Sequence, residues 1–177
     1  MRMRIVCAVA VLLGLGVLAA GGTASAAPAD GYVPRHCYAS ELAAGFHGEQ
    51  AGLGNRGFLL TLTNIGGVSC HLDGYPRLRL LDAAGWRLRT HERRGPTYFD
   101  ADPGKHMIVL SPGETASTDI SFGVAGDRSD SVLASYIQIT PPGTRHHLVL
   151  PIPDGAALVY AGRLDVTALA RHTPYSG

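Results

Sequence analysis

The chain has 177 residues, with 15 Lys plus Arg against 14 Asp plus Glu and a formal charge of +1. That length suits one domain with a real core. The near-neutral balance lacks the basic footprint that nucleic-acid binding needs.

Residues 1–26 read as a secretory signal peptide. Arg2 and Arg4 make the positive region, Ile5 to Ala20 is apolar and uncharged, and Ala24-Ser25-Ala26 offers small residues for cleavage. The apolar stretch is shorter than the roughly 20 residues that span a bilayer. Cys7 follows bulky Ile5 and Val6 and so lacks a lipoprotein acylation box. A released, secreted protein is therefore expected, with no membrane span after cleavage. Removing residues 1–26 takes two arginines and no acid, which leaves 13 basic residues against 14 acidic ones.

Residues 27–36 read as a flexible leader, 37–170 as the folded domain and 171–177 as a frayed tail. Two cysteines remain in the exported part, Cys37 and Cys70. In an oxidising compartment a disulfide is the default for such a pair. Two free thiols or a metal pair are the alternative, although no CxxC spacing supports zinc.

The spacing next predicts a helical turn between Tyr38 and Phe46, with Ser40 as its cap and Glu41 in the first turn. Five glycines between Gly45 and Gly57 predict a loop. Phe58 to Asn64 alternates Leu60 and Leu62 with Thr61 and Thr63, which is the period of a strand. A turn at Asn64–Gly67, a strand over Val68–Leu72 and a break at Asp73–Pro76 follow.

Arg77–Asp82 and Trp86–His91 both alternate, joined by Ala83-Ala84-Gly85. A three-residue hairpin loop with a left-handed Gly fits them. Pairing Asp82 with Trp86 sets Leu80 against Leu88, Leu78 against Thr90, Arg79 against Arg89 and Arg77 against His91. Arg77, Arg79, Arg87 and Arg89 then share one face, with His91 at its edge. Like charges directly opposite are unfavourable, so this face calls for acids from a neighbouring strand or for an external anion. Guanidinium forks suit carboxylates and phosphates.

Arg93–His106 is a long polar connection, in which Tyr98 and Phe99 are candidate contact residues. Beyond it, strands are expected at Met107–Leu110, Ala116–Phe122, Val132–Thr140 and His146–Pro151, with one or two more over Ala157–Val166. Turns fall at Ser111–Glu114 and Pro141–Gly143, and a loop at Gly123–Ser131. Many short strands separated by turn signals indicate an all-β chain, an antiparallel β-sandwich.

One set of segments resembles a known family. Cys37 and Leu42 precede Gly52-x-Gly54-Asn-Arg-Gly57, Leu60-Thr-Leu-Thr-Asn-Ile-Gly-Gly67, Ser69-Cys-x-Leu-x-Gly-Tyr-Pro76 and Leu80-Leu-Asp-x-x-Gly85. Leu110-Ser-Pro-Gly-Glu-Thr-Ala116 and Thr140-Pro-Pro-Gly143 complete the pattern. It resembles domain-of-unknown-function family 4232, exported proteins of high-GC Gram-positive bacteria. The resemblance implies an immunoglobulin-like sandwich and a Cys37–Cys70 bond, and it implies no activity. Many members resemble lipoproteins or carry anchors, which the missing acylation box does not support here.

Chemistry is sparsely signalled. His36, His47, His71, His91, His106, His146, His147 and His172 show no ligand spacing, and no HExxH is present. No metal ligand set, cofactor motif or GxSxG elbow is found. The expected function is a noncatalytic extracellular binding or interaction module at the cell envelope. Its partner would be an anionic wall polymer or an extracellular protein. A histidine-based metal-binding protein and a protease-inhibitor-like module, the latter hinted at by Arg94-Gly-Pro-Thr97, are the alternatives.

Overall fold

A computed structural model describes residues 33–124 and 130–171. The expected signal peptide and most of the expected leader lie outside the described residues, as do residues 172–177 of the expected tail. Twelve strands are described: β1 (Leu42–Gly52), β2 (Asn55–Asn64), β3 (Cys70–Asp73), β4 (Arg77–Leu81), β5 (His91–Arg94), β6 (Met107–Leu110), β7 (Thr115–Gly123), β8 (Ser131–Ala134), β9 (Tyr136–Thr140), β10 (Leu148–Pro151), β11 (Ala157–Tyr160) and β12 (Arg163–Val166). The chain is all-β, and no α-helix occurs among the described residues.

A five-stranded sheet runs in the order β1-β2-β7-β12-β5, and a three-stranded sheet in the order β10-β9-β4. Two further pairs, β11-β8 and β3-β6, complete the arrangement. All the strand pairings are antiparallel except β12 with β5.

Period-two alternation builds the core. Phe58 and Leu60 of β2, Ile120 and Phe122 of β7, and Leu164 and Val166 of β12 form one cluster with Leu78, Leu80, Ile137 and Ile139 of the three-stranded sheet. Two sheets thus share one core, as apolar residues at every second position require. A second cluster gathers Leu42, Leu62, Leu72, Leu110 and Leu169 around Cys37 and Cys70. The two cysteines are bonded, with their Cα atoms 4.8 Å apart.

The glycine-rich stretch after Gly45 is not a loop. It forms most of β1, which pairs with β2 from Leu42↔Asn64 to Gly52↔Asn55, interrupted by a bulge between His47 and Glu49. Leu53 and Gly54, both at positive φ, make the two-residue turn, and this geometry follows the twist of the flanking strands. Glycine weakens a strand without forbidding it, and at Gly57 it is required. A Cβ there would stand 2.7 Å from the Phe99 ring, so only glycine lets that ring lie on the sheet.

Other expectations are corrected in detail. The helical turn is a short 3-10 turn over Ala39–Glu41, and Ser40 does not cap it because the cap position falls on Tyr38. The end of the leader is pinned: Cys37 and His71 donate their backbone N–H groups to the carbonyls of His71 and Arg35. The Val132–Thr140 run breaks at Ser135, whose N–H bonds the Leu81 carbonyl, into β8 and β9 in different sheets. Arg171 is not frayed, since its guanidinium bonds Glu114 and the Val109 carbonyl.

Asn64 behaves as its position in a turn predicts. Fully buried, it donates from Nδ2 to the carbonyls of Val68 and Leu110 and accepts from the Gly66 N–H.

The disulfide closes a separation of 33 residues, which on loop entropy is worth about 3–4 kcal/mol. A Cys37→Ser, Cys70→Ser double variant should lose roughly that much in urea unfolding, with a steeper slope because the unfolded chain is no longer cross-linked. Acid should act through Glu114. The Arg171 guanidinium and the Ser111 N–H hold its carboxyl at about 2, down from 4.5. A depressed carboxylate stabilises the fold above its unfolded value and loses that contribution as pH falls through the folded one. Wild type should therefore lose stability between about pH 4.5 and 2, and Arg171→Ala should flatten that part of the profile of melting temperature against pH.

Candidate functional site

The hairpin after β4 forms as its sequence predicts, but only in part. Asp82 and Trp86 face each other, with the Asp82 N–H bonded to the Trp86 carbonyl at 3.0 Å. Asp82 Oδ1 accepts the N–H groups of Ala84 and Trp86 at 2.9 and 2.8 Å. Gly85 takes a φ of 81°, the left-handed position of the loop. Leu81 bridges Arg87, and the Leu88 N–H bonds the Leu80 carbonyl.

Beyond Leu88 the chain leaves. It enters the five-stranded sheet as β5, parallel to β12. Two side chains replace the lost backbone acceptors: Thr90 Oγ1 takes the Leu80 N–H at 2.9 Å, and Glu92 Oε2 takes the Leu78 N–H at 2.6 Å. Arg79 therefore does not pair with Arg89, nor Arg77 with His91. Arg89 bonds the Asp130 carbonyl, and His91 sits opposite Arg163. The expected five-residue face is split because the second strand changes sheets after Leu88 and pairs with β12 instead.

What remains is gathered differently. β9 pairs with the other edge of β4, with Arg77↔Thr140 and Arg79↔Gln138 in register. Leu78, Leu80, Ile137 and Ile139 point into the core, so their alternates face out. Arg77, Arg79 and Arg87 line one side of an open concavity of about 390 Å³. Arg145 and His147, which lead into β10, line the other, over Gln138, Thr140 and Thr144. All four arginines are exposed. Among the described residues, none of the four guanidinium groups has an ion-pair or hydrogen-bond partner, and no carboxylate lines the concavity.

The acids are engaged elsewhere. Glu41 binds Arg35, Glu49 and Asp154 bind Arg56, Asp165 binds Arg93, Glu92 binds Arg94, and Glu114 binds Arg171. The Arg35 guanidinium also holds the Glu41 carboxyl below its ordinary value. Asp102 is held low despite the opposing effect of burial, by the N–H of Ala168 and the hydroxyl of Tyr75.

Tyr98 and Phe99 fall elsewhere. Their connection lies over the outer side of the five-stranded sheet, where Thr97 Oγ1 donates to Asp119 Oδ1 and the Tyr98 N–H bonds Ser121 Oγ. Phe99 is half-buried against Gly57, while Tyr98 stays exposed, edge-on to the Phe99 ring at 4.9 Å. Phe99 thus packs against the sheet with part of its ring still accessible. The Arg94–Thr97 segment is bonded at both ends, from Gly95 N–H to the Val166 carbonyl and from Thr97 N–H to the Asp100 carbonyl. That leaves it no extended, unpaired run of backbone.

The histidines stay dispersed. His36 and His71 stack at 4.0 Å. Among the described residues no three His, Cys, Asp or Glu side chains are grouped to hold a metal ion, and His172 lies outside them. No helix of the described residues is long and apolar enough to cross a membrane.

The family model for a domain of unknown function, DUF4232, matches residues 37–170. The chain belongs to the DUF4232 family. The match starts at the disulfide cysteine and ends with the strand partner of Ser117, Ala170. No curated protein and no solved structure shows a significant match to the chain. In the segment Cys70-x-Leu72-x-Gly74-Tyr75-Pro76, Cys70 is bonded, Leu72 is buried and Tyr75 bonds Asp102.

Sequence reading missed Arg145 and His147 because they lie more than fifty residues from the hairpin. Only the β4–β9–β10 pairing brings them beside Arg79. Asp82→Ala would free two N–H groups of the loop that carries Arg87. It should cost about 1–2 kcal/mol in denaturant unfolding, and backbone amide exchange should rise at residues 83–87 without rising in β2 or β7.

Proposed function

We propose that this DUF4232 domain is a noncatalytic binding module, exported by its signal peptide and acting outside the cytoplasm, that takes anions on the outer face of the β10-β9-β4 sheet. The scaffold is read as an immunoglobulin-like sandwich, supported by two sheets that share one core and by the family resemblance. A bonded cysteine pair accords with an oxidising compartment.

The observation that carries the reading is a set of four arginines around one polar concavity whose guanidinium groups have no partner among the described residues. Four guanidinium groups on one face repel one another, and a bound anion relieves that repulsion while taking several charge-assisted hydrogen bonds. Gln138 and Thr140 contribute neutral polar groups at the base of the concavity. Anionic polymers of the cell envelope present the matching chemistry. Metal delivery and protease inhibition gain no comparable support: no group of three His, Cys, Asp or Glu is found among the described residues, and the Arg94–Thr97 segment is bonded at Gly95 and Thr97.

The test is chromatography on immobilised polyphosphate at low and moderate salt. Wild type should be retained at low salt and released as salt rises. Arg79→Ser with Arg145→Ser should abolish retention. Arg89→Ser with Arg163→Ser removes the same charge from outside the concavity and should leave retention within about twofold in eluting salt. Equal elution of the two double variants would sink the assignment of the site.

A further inference from the structure

The arginine concavity has a neighbour of different character. A second concavity of about 580 Å³ lies on the same sheet face and shares Arg87, Gln138 and His147 with the first. Leu81, Tyr136 and Val149 line it, and the hairpin loop from Ala83 to Gly85 walls its far side. The cross-strand register explains the gradient. The outward residues of β9 are Thr140, Gln138 and Tyr136, which stand opposite Arg77, Arg79 and Leu81 of β4. On the other side, Val149 of β10 stands opposite Gln138. Two residues of strand rise about 7 Å, so the face passes from cationic to apolar over roughly 14 Å. Val149 is 46% exposed, so a bound group has apolar surface to cover.

We propose that this face binds a small amphipathic organic phosphate. Its phosphate sits among Arg77, Arg79 and Arg145, and a ring or short alkyl body lies over Tyr136 and Val149. The inference rests on the anion-binding reading above and adds the class of ligand. A phosphate is favoured over a carboxylate because several guanidinium groups line one concavity. One carboxylate saturates a single fork, whereas a dianionic tetrahedral group offers enough oxygens for several. A compact ligand is favoured over a bilayer because the face is bounded by the Ala83–Gly85 loop on one side and by Thr144 and Arg145 on the other.

The experiment is calorimetric titration of the purified protein with inorganic phosphate, with phenyl phosphate and with vesicles containing phosphatidic acid. Phenyl phosphate should bind about tenfold or more tightly than inorganic phosphate, a difference of about 1.4 kcal/mol. Arg79→Ser should weaken both probes by about tenfold, the same conversion. Val149→Ser should cut the advantage of the phenyl group by about threefold and leave inorganic phosphate unchanged. Both substituted residues are exposed, and an unchanged melting temperature checks that each variant is folded. Equal affinity for the two phosphates, lost in Arg79→Ser, would overturn the amphipathic ligand and leave the anion site standing. No binding of either phosphate, or binding indifferent to Arg79→Ser, would overturn both. Binding to vesicles without measurable binding of phenyl phosphate would replace the compact ligand with a membrane surface.

Discussion

The departure of the chain from β4 after Leu88 is the constraint on which the rest of the architecture depends. A hairpin continued to His91 would have kept all its residues in one sheet. Instead, residues 91–94 join β12 in parallel, and the vacated edge of β4 is satisfied by Thr90 and Glu92 side chains. The exchange links the five-stranded sheet to the three-stranded one over a single core. Buried N–H groups cannot be left without acceptors, so the switch is tolerable only because a hydroxyl and a carboxylate fall where the carbonyls would have been.

That exchange also shapes the candidate site. Arg89 and His91 travel with the departing strand, which relieves the like-charge pairs a full hairpin would have imposed. Arg77, Arg79 and Arg87 stay behind on a face that β9 and β10 extend with Gln138, Val149 and His147. The inner side of the same strands holds the aliphatic core, so the outer side chains stand on a backbone fixed by hydrogen bonds on both flanks of β9. Such a platform fixes the backbone from which the arginines project, while their exposed side chains keep their rotamer freedom.

The opposite side of the molecule has been closed by the chain itself. The connection through Tyr98 and Phe99 lies on the five-stranded sheet, and Gly57 makes room for the Phe99 ring. Thr97, Asp119 and Ser121 fasten it with side-chain hydrogen bonds. A segment that looks like a free loop by composition therefore packs on the sheet, with Tyr98 still exposed.

Local signals settled a good deal without any structure. Alternation in β2 and β4 marked the core residues, because a strand sends every second side chain to the same side. Gly85 and Asp82 marked the hairpin loop, because turn geometry is decided by a few neighbouring residues. The cysteine pair was legible from compartment and count, and the family segments agreed with it. Tertiary structure alone decided the rest. It made strands of the glycine-rich Gly45–Gly57 stretch, since a long partner in β2 outweighs weak propensity. It divided Val132–Thr140 between two sheets, and it separated Arg89 from Arg79 while bringing Arg145 beside it. Strand partners are chosen by burial across the whole chain, and a pattern read within one segment carries no information about which distant segment will lie alongside it.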